Sequence, residues 1–578
     1  MHCNFVKQLA RLRKLSSDSV DSPESFSELN RYMHVTRVVE NELKDLLRKV
    51  KEKNKKTLIL LCGSAGDGKS HLLSFLKNED PEGLLDGIEV YNDATESAEP
   101  HLTAIDTLAD RLQEFNDQNL GNQSTKKIIL AINLGVLNNF IESEKGANFS
   151  ELKAYVESSE IFSSFTKQYE YKEGSPFQHV SFSDFHLYTL RDGEIKTEYL
   201  NQLFGKVFDQ TNDNPFYRCY KDQKRSCTHC SECPVKHNYE LLFNPTIRES
   251  IINQLVEVSI KDKVVITTRE ILNFIYDILV HSAFSEKEFF TKQNYFKQLE
   301  KYLDHTTPVL AYEQADVSQL LNSVRKHDFL RYRTTELDEF SLSFHTSSDV
   351  RSFFEKAIRG TPYEKFSELT DHLNFVETNH DLKERLYRFI IRLNDLKQER
   401  DSVDSSGDFK EFIRHLYHQN KGEIAKLESL YYDVLTATTK WNGDFGSSKI
   451  CFDDSNEHFW IAEEINLEPA DNQESDVIKE DELFRFSPAL KVSFYSPDNP
   501  GRNVELTVDF TLFKMIKSMN KGYLPTIEDK NSHANFVSFV QQVIELGRKS
   551  KNIELISKES LKERFTFNKS LGYQFRKK

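Results

Sequence analysis

The chain has 578 residues and carries 91 acidic against 76 basic side chains, for a formal net charge of −15. That balance excludes a whole-surface grip on nucleic acid, which needs a positive face to neutralise phosphate. It leaves only local basic runs such as Arg48 to Lys56 and the terminal NKSLGYQFRKK, each of which also reads as a solvated face. Apolar residues at 38% with 43 Phe exclude general disorder, while a mean hydropathy of −0.58 places those cores under a strongly solvated surface.

Such a length exceeds one hydrophobic core and predicts roughly three or four folding units. No run reaches the ~20 apolar residues that span a bilayer, and the first residues lack the apolar centre of a signal peptide. The expectation is a cytoplasmic chain without a membrane partner. Residues 1–56 read as a helical lead-in, with one helix to about residue 15, a Ser/Asp/Pro/Glu break at 16–27 and a second helix from about Tyr32 to Lys53.

From 57 to 205 the pattern alternates between strand and helix, which predicts a parallel α/β sheet. TLILLCGSAGDGKSHLLSFL reads as strand, glycine loop and helix; IEVYNDA as a strand; HLTAIDTLADRLQEF as a helix; KKIILAINLGVL as a buried strand; and FQHVSFSDFHLYTL as a further strand of the same sheet. Residues 206–244 hold a cysteine-rich insertion. Residues 245–440 are mainly helical, with a hinge-like DSVDSSGD at 401–408, and 441–578 read as a separate α+β domain. The predicted whole is a multidomain α/β and α chain: an AAA-like P-loop sheet, a Cys-cluster insertion, a helical lid and middle region, and a C-terminal α+β domain.

Gly63, Ser64, Ala65, Gly66, Asp67, Gly68, Lys69 and Ser70 match G-x-x-x-x-G-K-[ST] between a strand and a helix. The glycines let backbone N–H groups turn around phosphate oxygens, and the following helix N-terminus adds a favourable dipole. Lys69 is expected to reach the β- and γ-phosphates of ATP, and Ser70 to place its hydroxyl on Mg²⁺.

Hydrolysis also needs a carboxylate for the metal shell and a group that orients water. Asp93 and Glu96 follow a strand end and are candidates for these roles. Asn133 ends the strand IILAIN and could orient water or contact the γ-phosphate, and Asp184 after HVSFS is a further acid. All of them serve equally as turn and capping residues. Arg269, at the start of the helix in TTREILNF, is a candidate γ-phosphate sensor on its placement alone; a surface arginine at a helix start reads the same way.

Cys219, Cys227, Cys230 and Cys233 follow C-x7-C-x2-C-x2-C, with His229 and His237 as alternative ligands. Four thiolates suit tetrahedral Zn²⁺, and the spacing also resembles iron–sulfur ligation, so both metals stay open beside free buried thiols. A closed site of this kind clamps structure and performs no chemistry. Lys221, Lys224 and Arg225 beside it could touch phosphate, although solvated lysines and arginines look the same.

The order LLCGSAGDGKSHLL, YNDATES, IILAINLG, the Cys219–Cys233 cluster and TTREILNFIYDIL resembles the DptF family, from the helix near Tyr32 through VELTVDFTLFKMIKSMNKGYLP. DptF proteins belong to the bacterial DNA phosphorothioation-dependent restriction system. The resemblance implies an ATP-binding subunit that works with DptG and DptH against DNA lacking the sulfur modification applied by the Dnd proteins. Only Gly63, Gly66, Gly68, Lys69 and Ser70 carry over residue by residue, and no D…ExK nuclease core is present. Two other readings remain: an interaction scaffold stabilised by nucleotide without turnover, and an ATP-dependent DNA helicase or nuclease. Oligomeric state is open, a homo-oligomer included.

Overall fold

Runs of Leu and Ile without polar alternation form strands covered on both faces. In the computed structural model two such runs build the centre of a parallel sheet. The described residues are 3–21, 26–92, 103–162, 171–291, 295–314, 317–366, 379–398, 407–445, 449–453, 455–470, 480–547, 552–560, 563–568 and 574–577. Strand β1 (Thr57–Cys62) is buried along its whole length. It lies between β3 (Lys127–Ile132) and β4 (Phe177–Ser181), with β2 (Glu89–Tyr91) outside β3, giving the order β2-β3-β1-β4. All three pairings are parallel, with Leu60 opposite Leu130 on one side and His179 on the other. Because the strands are parallel, the segments that leave β1, β2, β3 and β4 do so at one edge, where ligands of open α/β sheets bind.

Three helices precede the sheet. Helix α1 (Asn4–Asp21) continues six residues beyond its expected end, through Ser and Asp residues that only weaken a helix. The single helix expected from Tyr32 to Lys53 is two, α2 (Glu28–Met33) and α3 (Val38–Glu52), separated by extended residues at His34 and Arg37. Helix α4 (Lys69–Glu79) follows β1.

Helices α5 (Ala104–Arg111), α6 (Leu134–Ile141) and α7 (Ser150–Ser158) cover one sheet face. Alternate residues Leu58, Leu60 and Cys62 of β1 and Ile128, Leu130 and Ile132 of β3 meet Leu108, Phe140 and Leu152 there in one apolar cluster. LGVL at 134–137 is therefore helix and not the expected end of the strand. Asn133 makes the switch, its side chain accepting from the Gly135 N–H at 3.1 Å as an N-cap.

Helices α8 (Glu198–Phe208), α9 (Pro215–Ser226), α10 (Pro234–Leu241), α11 (Pro245–Lys261) and α12 (Thr268–Leu279) begin the helical part. Three of them open on Pro at the first helical position, where its missing N–H has no intrahelical partner to lose. Helix α1 packs on α4, α9 and α12, which ties the lead-in to the sheet and to the helices after it.

The chain divides into two compact units, Met1–Tyr188 with Thr197–Val403, and Thr189–Lys196 with Asp404–Lys578. The stretch FQHVSFSDFHLYTL, expected as one strand, is split between them. Phe177–Ser181 joins the parallel sheet, whereas Thr189–Arg191 forms a hairpin with Glu194–Lys196 across Asp192 and Gly193, both at positive φ. The second unit also holds an antiparallel sheet in the order Gln574–Lys577, Arg564–Asn568, Asn552–Ser557, Phe459–Glu464, Lys449–Asp453. The pair Leu490–Ser496 and Asn499–Val508 and the helix Ala534–Gly547 fall where LKVSFYS, NVELTVDF and FVSFVQQVIELGRK predicted them. Among the described residues no helix is long and apolar enough to cross a membrane.

Candidate functional site

The glycine loop leaves the end of β1 and enters α4 through two residues that only glycine tolerates easily. Gly66 has φ +91° and Gly68 +100°, and Gly68 is the N-cap of α4 without a side-chain cap. The first amides of α4 therefore lack a side-chain cap. Lys69 lies back along the loop, its Nζ donating to the carbonyls of Gly63 at 2.9 Å and Ser64 at 2.7 Å. Ser70 Oγ donates to the carbonyl of Asn92, the residue after β2, at 3.2 Å.

Asp67 turns its carboxylate inward, where it accepts from the Ser64 N–H. Burial pushes that carboxyl above its ordinary range, against the pull of Lys69, the Ser64 amide and Arg37. Arg37, from the break between α2 and α3, donates to the Asp67 carbonyl at 3.1 Å and lies 5.3 Å from the ring centroids of Phe182 and Tyr199. Helix α12 arrives from the far side of the chain. The Arg269 N–H donates to the Gly66 carbonyl at 3.3 Å, and a Cβ on Gly66 would stand 2.9 Å from Arg269 Cβ. A capping box, Thr267 with Glu270, holds that first turn in shape.

Between the loop and the α2–α3 break lies a cavity of about 400 Å³. Ala65 to Ser70, Asn92, Asn133 and Arg269 line it, so the structure brings these residues of the sequence reading together; Gly63 and Ser64 stand at the loop's entry. Asp184 closes a short turn after β4 (Phe182–Asp184), and its charge acts against that of Lys69 on Cys62. Burial first, and then Asp184, pushes the Cys62 thiol up to about 12. Asp93 and Glu96 lie outside the described residues.

Several residues of the site escape sequence reading because no local motif marks them. Glu40, 2% exposed, accepts from Lys44 at 2.7 Å and lies 3.2 Å from His34 Nε2. Burial alone would raise its carboxyl, but His34 and Lys44 overcome that and hold it below the usual range. His34 stacks on Phe75 at 3.5 Å and sits 3.3 Å from His71 of α4; burial, aided by His34, lowers His71 to about 4. Side-chain oxygens of Asn30 and Asn92, both on the cavity wall, are buried without a hydrogen-bond partner among the described residues.

Away from this cavity, Cys219 lies on α9, Cys227 caps its C-terminus, and Cys233 caps the N-terminus of α10. All are free thiols, and the Lys236 ammonium donates to the Cys230 carbonyl at 3.0 Å. Cys3, which stands alone in the sequence, belongs with them: Phe5 packs on Tyr220 at 5.9 Å and Tyr239 at 5.0 Å. Burial pushes Cys3, Cys219 and Cys233 upward, and Cys3 acts electrostatically on the other two. His237 is turned elsewhere, its Nδ1 2.8 Å from Tyr302 Oη, and His229 stacks on Phe290. Among the described residues no three His, Cys, Asp or Glu side chains are disposed to hold a metal ion. No family model, curated protein or solved structure matches the chain.

Proposed function

We propose that the first unit binds ATP with Mg²⁺ on the Gly63–Ser70 loop and hydrolyses it. The observation that carries this reading is the loop at the ligand-binding edge of a parallel sheet, opening on the cavity that Lys69, Ser70, Asn92 and Arg269 line. Cavities of this size hold small cofactors. The loop amides and the α4 N-terminus bind phosphate oxygens, and Lys69 exchanges its two carbonyl partners for them. Ser70 holds one position on Mg²⁺, which neutralises charge on the β- and γ-phosphates when bound. Arg269 presents a cation from a separate helix, so nucleotide occupancy is coupled to the seating of α12. Asn92 and Asn133 orient water, and Asp93 and Glu96 supply the carboxylates.

The resemblance to the DptF family supports a larger role, an ATP-driven subunit acting with DptG and DptH on DNA that lacks phosphorothioation. A metal, Zn²⁺ or an Fe–S cluster, on Cys219, Cys227, Cys230 and Cys233 would pin the insertion; elemental analysis of the purified chain and a Cys227→Ser variant tests it, and a metal-free wild type rejects it.

The test of the main reading is ATP binding and phosphate release by the wild type and Lys69→Ala, alone and with duplex DNA and the two partner subunits. Turnover that Lys69→Ala abolishes and DNA or partners raise supports an energy-coupled subunit. Binding without turnover in every mixture leaves a nucleotide-stabilised scaffold, and absence of binding rejects the reading.

A further inference from the structure

The cavity wall changes chemistry across its width. Beside the polar loop it is lined by Met33, Val35, Leu203 and Leu272, an apolar set suited to a flat aromatic base and unsuited to phosphate. Polar side chains share that lining, among them His34, Glu40, Tyr199 and Asn30. Asn30 is 2% exposed, its backbone N–H is bound to Ser27 Oγ at 3.1 Å, and its side-chain Oδ1 has no partner among the described residues. A buried amide oxygen without a donor is costly and rare in a folded chain, and a ligand that brings a donor removes the cost.

We infer that Asn30 reads the base of the bound nucleotide and selects adenine over guanine, an assignment that rests on the nucleotide reading above. Adenine presents its exocyclic amino group as a donor, whereas guanine sets a carbonyl oxygen at the same ring position and would face Oδ1 with a second acceptor. Sites that hydrogen-bond a substrate group reject the analogue lacking it more strongly than apolar walls reject a change of size. The apolar side chains thus bind any purine, and Asn30 sets which one.

The experiment is equilibrium binding of fluorescent ATP and GTP analogues labelled on the ribose, with Mg²⁺, to the full chain and to Asn30→Leu. Leu keeps the branched shape of Asn with bulkier methyl groups and removes the orphaned oxygen, so the thermal melt of the variant is compared with that of the wild type to show that it folds. The wild type should favour ATP by about tenfold or more, the effect of one buried hydrogen bond with its partner left unsatisfied. In Asn30→Leu the ratio should fall to near one. A second series on the wild type alone compares ATP with purine riboside triphosphate, which lacks the amino group and should bind about tenfold more weakly. Equal affinity for those two, a preference for GTP, or an unchanged ratio in Asn30→Leu overturns the assignment while leaving the loop's triphosphate binding intact. A wild type that binds none of the nucleotides overturns the parent reading, and the base assignment with it.

Discussion

Gly66 and Gly68 carry nearly the same φ but different surroundings, and this makes them a matched pair. Replacing either with Ala places a Cβ at φ near +91° or +100°, which costs about 1–2 kcal/mol for an L residue in the left-handed region. At Gly68 no described atom lies within 4 Å of the added carbon, so among the described residues that strain is the whole effect. At Gly66 the carbon would meet Arg269 Cβ at 2.9 Å and Thr267 Oγ1 at 3.1 Å. Carbon pairs rest at roughly 3.5–4.0 Å, so α12 must back away by about 0.6–1.1 Å. Neither contact is the far end of a flexible chain, and overpacking of this kind costs about 1–3 kcal/mol more. Gly66→Ala should therefore open the loop–α12 contact roughly 5- to 150-fold more often than Gly68→Ala does. Hydrogen exchange on peptides covering 57–79 and 267–279, without nucleotide, reads the difference. Equal protection of the 267–279 peptide in the two variants would refute the claim that α12 rests on Gly66.

Other expectations follow from the same region. Arg37→Ala removes a charged donor from the Asp67 carbonyl and a cation from between two rings; it should weaken ATP binding by roughly 10- to 100-fold at about 1.5–3 kcal/mol, and calorimetric titration giving wild-type affinity would show the loop is held without it. His71 stays neutral in the fold down to about 4, whereas the unfolded chain takes up that proton near 6.5, so its contribution to stability is whole above ~6.5 and is lost as pH falls towards 4. The loss approaches roughly 3 kcal/mol, with His34 and Glu40 the ionisable neighbours acting on it, and chemical denaturation between pH 7 and 4 should show a shallower slope in His71→Gln than in the wild type.

The sheet was legible because its strands advertise themselves. TLILLC and KIILAI are continuous apolar runs bracketed by turn residues, and burial on both faces leaves no other economical use for them. The errors fall where one residue redirects the chain. Asn133 makes a helix of LGVL by capping it, and Asp192–Gly193 folds the end of FQHVSFSDFHLYTL into a hairpin of the other unit. The extended link at His34–Arg37 was invisible because residues 28–52 satisfy a helical period almost throughout; the break is set by tertiary contacts, Arg37 reaching the glycine loop and His34 reaching Glu40 and Phe75.

The same division runs through the site itself. A contiguous motif marks the groups proposed to surround phosphate, since eight adjacent residues would deliver amides, an ammonium and a hydroxyl to one place. What faces the remainder of the cavity comes from α1, α2, α3, α8 and α12 and the link between α2 and α3, more than 200 residues of sequence from end to end, and each contributes side chains unremarkable in their own element. Asn30 sits in ELNRYM as an ordinary polar residue on a short helix, and only its burial beside Met33 and Leu203, with an oxygen left unmatched, makes it informative. Gly66 joins the two kinds of information: the motif asks for a glycine to shape the loop, and the fold uses the missing side chain a second time to admit Arg269. The proposed phosphate binding and the seating of α12 therefore share one residue, so a substitution there cannot alter the first without disturbing the second.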